Sequence, residues 1–538
     1  MPVIDARRHP GGPIEADVCI VGAGAAGITL AHEFIGSKLK VVLVESGDFT
    51  FRHRPQFLYM GENIGLPNYS IAKSRFRTFG GSTTRWGGQC RPFDRIDFEQ
   101  RDWMPGSGWP FDRGHLDPFY ARAHRVCNLL DYEYDPNYWR HIANGPLPID
   151  VSALETRIYH FSRSRDFGVT YREPLSKAPN IDVWLNANAV EIETEGSGGR
   201  VTAIRARTFN GREIRFSAGA HVIACGGIEN ARLMLASNKV ERGGVGNRND
   251  LVGRFFADHP YFVPGYFEPA EPRYDRNFHI IEDYDRLAED QGVHAAFGLT
   301  ERQLREEQLN GAAIYFIRRP DYKVRAEYFS DGGRSFNQLA DVLRHSDLPD
   351  GHSFQHIRTA LSGFRDVAKT LGRQIAHAVK PVSRLSVRTV IETSPHRDSR
   401  VTLGPKKDRL GLPRVQVDWR INADDQRGLE RLLDVMRVEL PRSGSGHLVE
   451  DLSRLDNGWP NSMVGGKHHI GTTRIHTDAK QGVVDEHCRV HGVSNLYMAG
   501  SSVFPTASYA NPTLTIVALA VRLADRLKAL PPNGGRLA

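Results

Sequence analysis

Three short apolar runs along the chain each end in glycine. Asp17-Val18-Cys19-Ile20-Val21 leads into Gly22-Ala23-Gly24-Ala25-Ala26-Gly27, His221-Val222-Ile223-Ala224-Cys225 into Gly226-Gly227, and Asn495-Leu496-Tyr497-Met498-Ala499 into Gly500-Ser501-Ser502. Short apolar runs bounded by glycine read as buried strands. After each glycine turn the apolar residues fall at helical spacing: Ile28 to Phe34, Ile228 to Leu235, and Thr513 to Leu527. The last of these ends in basic residues, which suit a helix carboxyl end. A further strand, Lys40-Val41-Val42-Leu43-Val44, ends in Glu45. Ile181 to Leu185, Ala189 to Glu193 and Val201 to Arg205 read as more strands, the last continuing a meander.

The amino-terminal pieces form a strand-helix-strand unit with GxGxxG at its first turn and an acid 23 residues after Gly22. Gly22 permits the tight turn, Gly24 lets a pyrophosphate approach the backbone, and Gly27 lets helix and strand pack closely. The helix amino terminus offers N–H groups and its dipole to phosphates. Glu45 is placed to accept from a ribose hydroxyl and to repel a 2′-phosphate, which disfavours NADP. The pattern predicts dinucleotide binding without separating FAD from NAD.

Composition narrows the class. The chain has 538 residues, three to four domain-sized pieces at roughly 150 residues each. Net charge is 70 minus 63, or +7, and bases alternate with acids, as in Asp398-Ser399-Arg400 and Lys406-Lys407-Asp408-Arg409. Such patterning reads as solvated surface rather than a nucleic-acid face. The five cysteines (Cys19, Cys90, Cys127, Cys225, Cys488) form no CxxC or CxxCH, which argues against a disulfide framework, a cysteine zinc site or a fused c-type haem. No metal site is expected. No apolar run approaches the ~18 residues of a membrane span. Arg7-Arg8 is followed by Pro10-Gly11-Gly12-Pro13 rather than an apolar stretch. The amino end therefore reads as a short disordered lead, and the protein as cytoplasmic. HExxH, GxSxG and P-loop motifs are absent from the sequence, so zinc hydrolase, serine hydrolase and nucleotide triphosphatase readings lack support.

Five segments together resemble the glucose-methanol-choline (GMC) family of FAD-dependent oxidoreductases. They are Gly22 to Gly27 with Glu45; Gly80-Gly81-Ser82-Thr83-Thr84-Arg85-Trp86-Gly87-Gly88; Cys225-Gly226-Gly227-Ile228-Glu229-Asn230-Ala231-Arg232; His468-His469-Ile470-Gly471-Thr472; and Ala499 to Thr506 leading to Asn511-Pro512-Thr513. The ending Ala510-Asn511-Pro512-Thr513 resembles the pyranose-oxidase-like branch. Residues from about 265 to 385 match the family least. They hold Tyr274, Phe278, Tyr315, Phe316, Tyr328, Phe329 and Phe354, aromatics that suit either sugar stacking or a core.

The resemblance implies an α/β fold with a Rossmann-type FAD-binding domain assembled from residues 1–100, 180–262 and 465–538. An α+β substrate or cap domain with a mixed or antiparallel sheet would come from residues 101–179 and 263–464. It implies cofactor contacts from Gly22, Gly24, Ala25, Gly27 and Glu45, from Gly81, Ser82, Trp86 and Gly87, from Val190, and from Gly500, Ser501, Ser502, Pro512 and Thr513. Pyranose oxidase links its flavin through a histidine in the Gly80–Gly88 loop. Arg85 stands there in this chain, so the FAD is expected to be non-covalent. Arg85 itself is left open between an ion pair and a flavin contact.

Oxidising an alcohol requires loss of the hydroxyl proton and transfer of a hydride to flavin N5. A neutral histidine suits the first task, and a second polar group must hold the oxygen as charge develops. The resemblance places these at His468, in the HxxGT pattern, and Asn511. If the segment is extended, His468 and His469 point to opposite sides. Asn511 precedes proline and equally suits a helix cap. His259, in Ala257-Asp258-His259-Pro260, receives no catalytic role, and Asp485 and Arg474 read as structural. The implied substrate is a small-molecule alcohol, a sugar, glycoside or polyol, with oxygen, a quinone or a redox protein as electron acceptor. A GMC-type lyase, an NAD-dependent dehydrogenase and a non-catalytic nucleotide-binding module remain alternatives.

Overall fold

The computed structural model describes residues 3–66, 71–142, 147–149, 152, 154–271, 274, 277, 279–281, 292–318, 384–450 and 463–529. The run Asp17 to Val21 becomes the buried end of a longer strand, Gly12–Val21. It pairs in parallel with Val41–Val44 on one side and Glu213–Ile223 on the other. Beyond Val41–Val44 lie Ile181–Leu185 and then Val3–Asp5, both parallel. Glu213–Ile223 divides its other edge. Leu496–Met498 pairs in parallel at the Ile223 end, and Val201–Arg207 pairs antiparallel at the Glu213 end, with Asn188–Thr194 outside it. The eight strands of this sheet thus come from three separated stretches of chain. Val18 to Val21 and Val41 to Val44 are all buried, the pattern of parallel strands covered on both faces.

Among the described residues five helices have nine residues or more: α1 (Ala25–Glu33), α2 (Arg113–Val126), α3 (Gly227–Ala236), α4 (Arg427–Arg442) and α5 (Thr513–Lys528). α1 and α5 contribute to the same core as the parallel strands. Tyr120 of α2 shares a 2.8 Å hydrogen bond with Thr515 of α5. No helix among the described residues is long and apolar enough to cross a membrane.

The amino-terminal lead is ordered from Val3, which corrects the reading of it as disordered. Val3, Ile4 and Asp5 pair with Val183, Trp184 and Leu185. The Arg7 guanidinium bonds the Asp5 carboxylate at 2.7 Å. Gly11 and Gly12, at φ +98° and +100°, turn the chain back into the next strand. The Pro-Gly-Gly cluster is thus a tight turn inside the sheet, using a backbone region open to glycine.

A second sheet has nine strands and is antiparallel save for one short pair, Ile280–Ile281 beside Phe316 and Ile317. Its main order is Gly446–Glu450, Pro260–Pro269, Leu385–Ile391, Ala312–Ile317, Val293–Gly298, Glu155–Phe161 and Gln89–Cys90. Leu429, Leu432, Leu433, Met436 and Leu440 of α4 share a core with Phe267, Phe316 and Val387 of this sheet. Their spacing puts them on one helical face. A third, small sheet joins Glu62–Asn63, Pro413–Asp418 and Arg400–Lys407. The architecture is a mixed α/β fold with several sheets. Phe316 is core, stacked on Phe267 at 4.4 Å, and Tyr274 packs at the edge of the same core. Phe278, Tyr328, Phe329 and Phe354 lie outside the described residues.

Candidate active site

A cavity of about 950 Å³ runs from the Gly22–Ala26 turn to the region of His468 and Asn511. The three glycine turns at the ends of the parallel strands all reach it. Their position follows from topology: a parallel sheet leaves its strand carboxyl ends facing one crevice. Added Cβ atoms show which glycines border open space. At Gly24, Gly87, Gly226 and Gly500 a Cβ would meet nothing within 4 Å. At Gly27 it would sit 1.8 Å from the Gly22 carbonyl oxygen. Four glycines therefore form a bare backbone cradle around the cavity, and Gly27 seals the turn to the helix. A long flat ligand with phosphates fits such a cradle, with α1 presenting its amino terminus at one end and α5 at the other.

Glu45 is 5% exposed, and its carboxylate accepts from the amides of Ala23 at 2.9 Å and Gly47 at 2.7 Å. Burial raises its pKa, partly opposed by those two bonds. Beside it lies a charge cluster that the sequence pattern does not reveal. Glu229 of α3 meets Arg75, Arg77 and Arg232 at 2.7, 2.7 and 3.1 Å. Arg232 also pairs with Asp408 at 2.7 Å. Asp408 is therefore an inward partner, which corrects the reading of its segment as solvated surface. The stretch is solvent-facing at Lys406 and Lys407 and turns in at Asp408. Arg85 makes cation–π contacts, its guanidinium 4.9 Å from the Phe51 ring and 4.6 Å from the Phe76 ring.

At the other end of the cavity, His468 Nδ1 lies 2.9 Å from His259 Nδ1, and His259 Nε2 lies 3.2 Å from the Ala507 carbonyl oxygen. The backbone under both rings is fixed by one buried carboxylate. Asp258 Oδ1 accepts from the amides of His259 and His468 at 2.7 and 2.8 Å, and Oδ2 from that of Lys467 at 3.1 Å. Burial first, then His259 and His469, hold the His468 pKa well below the ordinary value. Burial pushes His259 down to about 4. His469 is held at about 3 by burial, Arg75 and Lys467.

Both His468 and His469 line the cavity, so alternation does not remove His469 from it. Their neighbours differ: His468 packs against His259 and Tyr261, and His469 against Phe256. The N-cap position of α5 is Pro512, without a side-chain cap bond. Asn511 is thus not used as a cap, and it lines the cavity.

Of the residues singled out from sequence, Gly22, Gly24, Ala25, Glu45, Gly81, Ser82, Trp86, Gly87, Val190, His468, Gly500, Ser501, Asn511, Pro512 and Thr513 line this one cavity. Gly27 and Ser502 lie behind the wall. Ser502 Oγ accepts from Asn230 Nδ2 and Thr473 Oγ1, both at 2.8 Å, and so ties α3 to the Gly500 turn. Arg474 bonds the Gly106 carbonyl and stacks on Phe255, and Asp485 pairs with Arg489. Sequence reasoning missed Arg75, Arg77, Gln89 and Tyr261 as wall residues and named Tyr315, which lines the cavity, as suited to either stacking or a core; it gave no role to His259. No local signal marks the wall residues. His259 was visible as a motif, but its contact with His468 spans 209 residues.

The carboxyl-terminal model of the GMC oxidoreductases matches residues 395–520. A 5-(hydroxymethyl)furfural oxidase from Methylovorus sp. (strain MP688) is 34% identical over 95% of this chain and 98% of its own. The chain belongs to the GMC oxidoreductase family. A 6'''-hydroxyparomomycin C oxidase from Streptomyces lividus is 25% identical over 94% of this chain and 90% of its own. The crystal structure of a pyridoxine 4-oxidase from Mesorbium loti shares the fold, with a TM-score of 0.57, 14% identity, and coverage of 95% of this chain and 98% of that one. The GMC oxidoreductases are FAD-dependent flavoenzymes. The NAD-dependent and non-catalytic alternatives give way to this membership.

Proposed function

We infer that this GMC oxidoreductase oxidises a primary or secondary alcohol of a sugar, glycoside or polyol, with non-covalent FAD and with His468 as the base. Relatives in the family oxidise sugar, glycoside, polyol and alcohol CH–OH groups. The observation that carries the reading is the shared cavity: His468 and Asn511 line the same space as Gly24 of the Gly22–Ala26 turn, where an added Cβ would meet nothing within 4 Å. FAD, when bound, supplies the two-electron acceptor for the hydrogen on the substrate carbon.

The chain's own groups do the rest. The Gly22–Ala26 turn and the amino terminus of α1 would hold the pyrophosphate, with Gly27 closing the turn and Glu45 beside the ribose. Gly81, Ser82, Trp86, Gly87, Val190, Gly500, Ser501, Pro512 and Thr513 would hold the remainder, with Ser502 bracing the Gly500 turn from behind. The parallel sheet is then the core of a Rossmann-type domain built from residues 1–100, 180–262 and 465–538. Residues 101–179 and 263–464 form the substrate domain. His468 is neutral at pH 7 because burial and two neighbouring imidazoles oppose its charge. It accepts the hydroxyl proton at a ring nitrogen, and the Asn511 amide holds the oxygen.

Arg85 offers no atom for a flavin link and is occupied with Phe51 and Phe76. Acid precipitation of the holoenzyme should therefore release all its yellow colour. The substrate class is tested by anaerobic flavin bleaching across monosaccharides, glycosides and polyols, with oxygen or a quinone then added to read the acceptor. Bleaching by none of them, at a site shown to hold FAD, contradicts the substrate class.

A further inference from the structure

Two buried imidazoles that share a hydrogen bond must divide one hydrogen between them, and their other contacts decide how. His259 is wholly buried, and its pKa near 4 leaves it neutral at pH 7. A neutral imidazole carries one hydrogen. His259 Nε2 faces the Ala507 carbonyl oxygen at 3.2 Å. A carbonyl only accepts, so the hydrogen of His259 is on Nε2. Its Nδ1 is then a bare lone pair, 2.9 Å from His468 Nδ1. That contact is a hydrogen bond only if His468 carries its hydrogen on Nδ1. The Nε2 of His468 is left bare, and among the described residues no protein group takes it up.

We propose that His259 is the positioning residue of the active-site base: it locks His468 in the Nδ1–H tautomer and so presents the bare Nε2 to the substrate hydroxyl. This rests on the reading of His468 as the base. The ring centroids are 4.9 Å apart with their planes at 80°, and the two Nδ1 atoms, at 2.9 Å, are within hydrogen-bond distance. The Asp258 carboxylate, bonded to the amides under both rings, fixes their separation. A second bond, from the Gly466 amide to the His259 carbonyl at 2.8 Å, joins the same two segments.

When the hydroxyl gives up its proton, the O–H bond breaks and its electron pair stays on oxygen. A new N–H bond forms at His468 Nε2. The resulting imidazolium now donates to His259 through a charge-assisted bond, which is stronger than the neutral one. The other titratable groups around the pair are Asp258 beneath both rings, Tyr261 and His469 beside His468, and Glu392 beside His259.

Nitrogen-15 NMR of the histidine-labelled holoenzyme reads the tautomers directly, with signals assigned from His259→Asn and His468→Gln. The expected result is His468 protonated at Nδ1 and His259 at Nε2. A hydrogen on Nε2 of His468 overturns the proposal. Stopped-flow flavin reduction supplies the second readout. His259→Leu removes the acceptor and should slow reduction by about 10- to 100-fold, the usual cost of a misoriented group, with flavin content and KM little changed. His259→Asn places an amide oxygen near the lost Nδ1 and should recover most of the rate. Wild-type reduction in the Leu variant, or an Asn variant no faster than Leu, overturns the role. If the Leu variant does not fold, the wild-type tautomers still decide. Should His468→Ala reduce its flavin normally, the base assignment fails by itself, and the NMR result shows separately whether His259 orders the ring.

Discussion

The Glu45 carboxylate accepts the amide hydrogen of Ala23 at 2.9 Å, 22 residues back along the chain. One strand end is thereby tied to the glycine turn of its neighbour, and the bond from Gly47 ties down the other carboxylate oxygen. Glu45 thus holds the shape of the turn through the protein's own bonds. Glu45→Ala removes both bonds and should destabilise the apoprotein by about 3–6 kcal/mol, at about 1.5–3 kcal/mol for each buried bond to a charged group. It should also lower FAD occupancy. Denaturant unfolding of apoprotein and flavin content after dialysis measure the two effects. An apoprotein of unchanged stability would mean the carboxylate does not brace the turn.

Gly24 and Gly27 differ by three positions and make opposite demands. A Cβ at Gly24 enters the open cavity, while one at Gly27 strikes the Gly22 carbonyl oxygen. Gly24 has φ −87°, which any residue adopts. Gly24→Ala should keep the melting temperature of the apoprotein and lose FAD affinity. Gly27→Ala should lower the melting temperature with or without FAD. Equal flavin affinity in wild type and Gly24→Ala would place the cofactor elsewhere.

Glu229 carries the pH dependence of the buried charge cluster. Burial works to raise its pKa, but Arg232, Arg75 and Arg77 outweigh burial and hold it at about 2, below the ordinary 4.5. A depressed carboxyl pKa stabilises the fold above the unfolded value, and that contribution is lost as pH falls through the folded one. Glu229→Gln should therefore be less stable at pH 7, by about 3–5 kcal/mol for a broken buried pair. The gap from wild type should shrink as pH falls from 4.5 towards 2. Urea midpoints across that range measure the gap, and a constant gap would contradict the pairing.

Local features were the legible ones. The strand Val41–Val44 and helix α5 follow from residue order within a dozen positions, as does the GxGxxG turn. The parts that failed depend on distant partners. Val3–Asp5 is a strand because Ile181–Leu185 offers an edge to it, which a Pro-Gly-Gly cluster in a short lead does not announce. Asp408 turns inward because Arg232, 176 residues away, is there to meet it. His259 stood in plain view as a motif. Its meaning depends on which of its two nitrogens meets a carbonyl, and spacing carries no such information.

The central claim is that His468 takes the proton, and single-turnover flavin reduction tests it most directly. His468→Ala should retain FAD and reduce it about 10²- to 10⁴-fold more slowly, the usual cost of losing a general base. His469→Ala, whose ring packs against Phe256 rather than His259, should reduce its flavin at close to the wild-type rate. Asn511→Ala should fall between the two, since it loses the group holding the oxygen and keeps the base. A His468→Ala enzyme that holds its FAD and reduces it at the wild-type rate, or a His469→Ala enzyme slower than it by orders of magnitude, would contradict the account.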